Sequence, residues 1–131
     1  MNELHNLTLS KALKLLENRD LSALDLTENY LNKIQASSKL NTFCLVTSDL
    51  AVSQAKKCDK IMRSENKGKL CSIPIAVKDI FCTKNLQTQA ASKILENFIP
   101  DYESTVTSKL WKENAVMLGK LNMDEFAMGS S

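Results

Sequence analysis

The apolar run Ile73-Pro74-Ile75-Ala76-Val77 ends in Lys78 and Asp79, which sets a lysine at the close of a strand-like segment. Three of the five apolar residues are β-branched and no polar face is left for water, so the run predicts a buried strand over about 73–78. Open α/β sheets place their ligand sites at the C-terminal ends of strands. An ammonium buried there loses its hydration and becomes available as a base. The competing reading of the same residues is a solvated strand end, because lysine is seldom buried.

Other residues that could do chemistry are quickly bounded. His5 is the one histidine, so a histidine-based triad or a histidine-rich metal site is excluded within this chain. Cys44, Cys58, Cys71 and Cys82 form no CxxC pair; they carry no metal signature and are expected as buried, reduced thiols. Asp124 and Glu125 are consecutive, and neighbours on a helix point about 100° apart, which argues against an acid/base pair and for a helix-start charge role. Met117, Met123 and Met128 are expected in the core.

The elements that must position Lys78 follow from periodicity. Leu9, Ala12, Leu13 and Leu16 recur at i, i+3, i+4, i+7, predicting a helix over 9–18 with Thr8 as cap. Ser22-x-x-Asp25 opens a second helix, 22–36, with Ala23, Leu26, Tyr30 and Ile34 on one face. Phe43 to Val46 predicts a strand (42–47), followed by a Thr47/Ser48 cap and a helix, 48–63, whose inner side carries Ala51, Ala55, Cys58 and Met62. Beyond Asp79 the stretch from Thr83 to Asp101 is irregular, with a turn of helix near 92–96; loops of that length are usually functional or covered. Ser104 caps a helix (104–113) with Val106 and Leu110 facing inward, and Asn114 suits its left-handed end. Val116-Met117-Leu118 predicts a third strand, 115–119, ended by Gly119. Alternating strands and helices point to an α/β fold with parallel segments.

The composition excludes several function classes. Glycine occurs 3 times in 131 residues, where average usage of about 7% gives roughly nine, so no glycine-rich phosphate loop is present. A net charge of +2, from 17 basic and 15 acidic residues interspersed, makes no nucleic-acid footprint. No apolar run approaches the roughly 18 residues of a membrane span. Met1 to His5 lacks a basic-then-apolar leader pattern, so a cytoplasmic location is expected.

Three stretches together resemble the amidase signature family, in its branch of glutamyl-tRNA(Gln)/aspartyl-tRNA(Asn) amidotransferase A subunits. They are Ile73 to Asp79; Thr88-Gln89-Ala90-Ala91-Ser92-Lys93-Ile94-Leu95-Glu96-Asn97-Phe98 with Pro100 to Val106; and Val116 to Ser131. The resemblance implies a mixed β-sheet flanked by helices, with residues 1–131 forming an incomplete, N-terminal part of that domain. It implies a Ser–cis-Ser–Lys triad in which Lys78 is the base, while both serines lie in a glycine/serine-rich signature downstream of Met128-Gly129-Ser130-Ser131. Ser130 and Ser131 match a segment that lines the substrate pocket, the alternative being that they merely permit close backbone packing.

By the same resemblance, glutamine is the amide donor and B and C subunits are the partners. The chain itself then carries no cofactor, ATP and magnesium belonging to one of those partners, and meets tRNA only indirectly. The alternatives are a fragment of another amidase-signature hydrolase and a non-catalytic truncated or split-gene product. Ser72, Asn85 and Gln89 depart from the family pattern, which has glycine at the first two places and threonine at the third. If Ser72 adopts a positive φ, the local geometry suffers by roughly 1 kcal/mol.

Overall fold

The Leu9/Ala12/Leu13/Leu16 stripe lies on α1 (Leu9–Asn18) in the computed structural model, which describes residues 4–129. Thr8 caps this helix by accepting the Lys11 amide at 3.3 Å, and Arg19 closes it at φ 65°. At the start of α2 (Ala23–Ala36), Ser22 accepts the Asp25 amide at 2.9 Å and donates back to its carboxylate at 2.6 Å. A second cap comes from far along the chain. Asp59 accepts the Ala23 and Leu24 amides at 2.7 and 3.2 Å, filling the donors that a helix start leaves without partners. Asp59 lies in α3 (Ser48–Ile61), so this carboxylate staples two helices together.

The sheet has the order β1-β3-β2, with β1 (Phe43–Val46), β2 (Pro74–Lys78) and β3 (Val116–Leu121). Strand β2 runs parallel to the central β3 and β1 antiparallel to it. Leu16, Leu26, Ala51, Ala55, Cys58, Ile73, Val116 and Leu118 form one buried cluster between the first three helices and the sheet. The small Ala51 and Ala55 let α3 approach β3, where Gln54 accepts the Met117 amide at 2.8 Å.

Gly119 does not end β3. It sits inside the strand, where an added Cβ would strike the Leu45 carbonyl oxygen; glycine is there for close approach of two backbones. Met117 and Gly119 face consecutive residues of β2, Ile75 and Ala76, which leaves Leu118 as the extra residue of a bulge.

Other expectations are corrected at the surface. Pro74, Ile75 and Ala76 are only half-buried, because β2 has a strand neighbour on one side among the described residues. On α4 (Thr105–Lys112) the buried residue is Thr107, whereas Val106 is exposed. The Thr107 hydroxyl bonds with Ser104 and Glu103 and so needs the inner position. Met117 is buried, Met123 half-buried and Met128 exposed. Cys58 and Cys71 are buried, but Cys44 is exposed and Cys82 half-buried; all four thiols are free. Ser72 does adopt a positive φ, 74°.

Candidate active-site region

Strand alternation decides what happens at the end of β2. Val77 and Asp79 turn inward and Lys78 turns outward. The Lys78 side chain is 44% exposed, its ammonium 3.8 Å from the Asp124 carboxylate. The expectation of a desolvated Lys78 is therefore corrected. The buried place on this strand end belongs to Asp79, and the buried lysine is Lys120.

Lys120 has no exposed surface. Its ammonium donates to the Phe81 carbonyl and the Thr88 hydroxyl, both at 2.8 Å, and stands 3.2 Å from Asp79 Oδ1. Among the described residues Asp79 Oδ1 has no aligned hydrogen-bond donor, so this approach is an ion pair. Asp79 Oδ2 accepts the Gln89 amide at 2.9 Å, its carbonyl accepts the Ala90 amide, and its own amide bonds to Leu121. Five segments thus meet on one buried charge pair: the ends of β2 and β3, Phe81, Thr88 and the Gln89–Ala90 turn. These contacts hold Phe81, Thr88 and Gln89 of the irregular stretch after Asp79, which carries a short 3-10 turn at Lys93–Leu95.

Lys120 stands inside the resemblance, yet sequence reasoning misses it. One signal is available: a lysine within an otherwise buried strand has to find a partner, and Asp79 follows directly on the other candidate strand.

The segment after β3 folds back over this region. Ser92 donates to Glu125 at 2.6 Å and the Phe126 amide bonds to the Ala90 carbonyl at 3.0 Å. Ala90, Ala91, Phe126 and Ala127 all hold left-handed conformations, with φ between 49° and 58°, so two strained turns are docked on each other. Asp124 and Glu125 do stand at a helix start, the short 3-10 turn Glu125–Ala127, and their side chains make tertiary contacts as well. The Asp124 carboxyl is held below its ordinary range, chiefly by the Gly129 amide at 2.5 Å and then by its own amide; partial burial opposes this and the Lys78 charge assists. Ser130 and Ser131 lie outside the described residues.

Cys44 approaches from β1, its thiol donating to the Lys120 carbonyl at 3.4 Å. Burial and then the nearby Asp79 charge push this thiol up from its ordinary value, which makes it a poor nucleophile. Among the described residues no cluster of three or more His, Cys, Asp or Glu side chains could hold a metal ion. No helix there is long and apolar enough to cross a membrane.

A lysine at the end of a strand with an open edge can accept and return a proton once covered and deprotonated; among the described residues its ammonium faces the Asp124 carboxylate rather than a nucleophile. Comparison with known proteins gives this arrangement a context. The A subunit of the glutamyl-tRNA(Gln) amidotransferase of Azorhizobium caulinodans is 50% identical over 131 residues, all of this chain and 27% of that protein. A complex described as vestigial, reported to reveal the evolutionary origins of an s-triazine catabolic enzyme, superposes with a TM-score of 0.88 at 32% identity. That match covers 94% of this chain and 28% of the other. The peptide amidase of Stenotrophomonas maltophilia matches with a TM-score of 0.84 at 27% identity, over 92% of this chain and 26% of its own. The chain therefore spans about a quarter of the length of the proteins it matches. The family model for amidases covers residues 25–131, and the chain belongs to the amidase signature family.

Proposed function

We propose that this chain is the lysine-bearing N-terminal part of the A subunit of a glutamyl-tRNA(Gln) amidotransferase, with Lys78 as the base of its glutaminase triad. The observation that carries the reading is the 50% identity to a protein of that name across all of this chain. In the reaction the bridging serine relays the nucleophilic serine's proton to Lys78 as that serine attacks the glutamine amide. The proton then passes to the departing ammonia, and water releases the acyl group as glutamate. Backbone amides of the serine/glycine segment would hold the oxyanion. Ser130 and Ser131 would line the substrate pocket. Ammonia would then be consumed in amidating Glu-tRNA(Gln) with the B and C subunits, ATP and magnesium belonging to one of them, in the cytoplasm.

A lysine acts as a base only when desolvated, and Lys78 is half-exposed. The free side of β2 is where the rest of such a fold would pack and cover it. A second reading, a docking module without catalysis, is favoured by the exposed Ile94, Ile99, Tyr102 and Val106, which suit burial against a partner.

The test mixes this chain with a polypeptide spanning the remainder of the Azorhizobium caulinodans protein and follows ammonia release from glutamine. Activity that appears on mixing and is lost in Lys78→Ala supports the proposal. Activity that survives Lys78→Ala removes Lys78 from the triad. A complex that forms without any glutaminase activity selects the docking reading.

A further inference from the structure

Asp124 belongs to no part of the triad, yet its carboxylate holds two pieces of chain at once. Oδ1 faces the Lys78 ammonium at 3.8 Å, and Oδ2 accepts the Gly129 amide at 2.5 Å. The Asp124 carbonyl also accepts the Ala127 amide at 3.0 Å, so the side chain springs from a closed turn. That turn is pinned from the other side by Ser92 on Glu125 and by Ala90 on Phe126. An ion pair at this exposure adds little stability by itself. What distinguishes this one is that the carboxylate is fixed by its second oxygen and cannot follow the lysine as a loose surface partner would.

We infer that Asp124 is a positioning residue. It ties the ammonium at the end of β2 to the backbone turn that closes at Gly129, and so sets where Lys78 points relative to that turn. The inference rests on the proposed role of Lys78, since without it the tether has no reaction to serve. Gly129 stands at φ 73° with open space around its Cα; the left-handed turn, not crowding, requires glycine there. The charged groups around the carboxylate are Lys78 from β2 and Glu125 next in the chain, the latter occupied by Ser92.

Isotope-labelled NMR on this chain tests the tether without any activity. Asp124→Asn keeps an acceptor for the Gly129 amide but loses the charge; Asp124→Ala loses both. The expected result is that Lys78 side-chain resonances move to free-lysine positions in both variants, while the Gly129 amide moves only in Asp124→Ala. In the unsubstituted chain, Lys78 and Gly129 should respond together as Asp124 protonates, below the ordinary aspartate range. Lys78 resonances unchanged in Asp124→Ala, or a Gly129 response without a Lys78 response, would overturn the inference. In the reassembled enzyme, Asp124→Asn should lower kcat roughly ten- to a hundredfold with KM little changed. A loss confined to KM would also overturn it. If Lys78→Ala leaves that enzyme active, the proposed function fails, whereas the NMR result on the tether stands separately.

Discussion

Replacing Lys120 with methionine is expected to destabilise the protein by about 3–5 kcal/mol, the range for removing one partner of a buried ion pair. The figure follows from what is left behind. Asp79 keeps the Gln89 amide on Oδ2, but Oδ1 loses the ammonium that stands 3.2 Å from it. The Phe81 carbonyl loses a 2.8 Å donor and Thr88 loses the donor to its hydroxyl. Methionine fills much of the volume, so the loss is electrostatic rather than a cavity. Asp79→Asn is expected to cost a similar amount, because it strands the Lys120 charge. The double variant Lys120→Met/Asp79→Asn should cost much less than the sum, with a coupling of at least about 2 kcal/mol, since contacting charges are strongly non-additive. Urea unfolding followed by circular dichroism measures all four proteins, and the slope must stay constant for the comparison to hold. A single Lys120→Met within about 1 kcal/mol of the parent, or a double variant equal to the sum, would refute the reasoning.

Ser72→Gly should stabilise by about 1 kcal/mol, because Ser72 is held at φ 74° and its hydroxyl meets the Cys71 sulfur at a long 3.8 Å; a lower urea midpoint would count against this. Asp59→Ala removes the acceptor for two α2 amides and should cost about 1–2 kcal/mol, with amide exchange at Ala23 and Leu24 rising first. Burial, and then the neighbouring Cys71, push the Cys58 thiol up to about 11, so alkylation at pH 8 should follow global unfolding at Cys58 but proceed freely at Cys82. Fast labelling of Cys58 in the native protein would show that its surroundings open locally.

Much of the architecture is legible in the sequence because local chemistry and tertiary need agree. The leucine spacing of α1 and the Ser22–Asp25 cap specify helices whichever surface they meet, and Phe43 to Val46 can only be a strand or a buried turn. The mixed character of the sheet is less local: nothing near β1 signals that its antiparallel partner lies more than 70 positions away. Gly119 reads as a terminator because sequence shows its flexibility and not the Leu45 carbonyl lying against it. On α4, hydrophobicity favours Val106 inward, but a hydroxyl that satisfies Glu103 and Ser104 takes the place.

The region around Lys78 is legible in one respect and misleading in another. Residue type and strand position mark Lys78 as the lysine to consider. Its exposure is hidden because a run of five apolar residues says nothing about which way the sixth points. Lys120 stays unmarked since the bulge at Leu118 breaks the two-residue alternation of β3, so counting from Val116 does not give its face. Asp124 cannot be linked to Lys78 from spacing at all; 46 positions separate them, and only the back-folding of the turn after β3 brings them together.

The order β1-β3-β2 also has a consequence for how the chain acquires its structure. The two outer strands are not neighbours, so no ladder can form until the middle one has been made. During synthesis, at about 5–20 residues per second, α2 and α3 can already join through Asp59 while the two flanking strands wait with bare edges. Closing them demands sequence separations of roughly 40 and 75 residues at once, the kind of non-local step that slows folding. The last of the three strands to leave the ribosome is therefore the one that creates the sheet, and the same event brings Lys120 to Asp79.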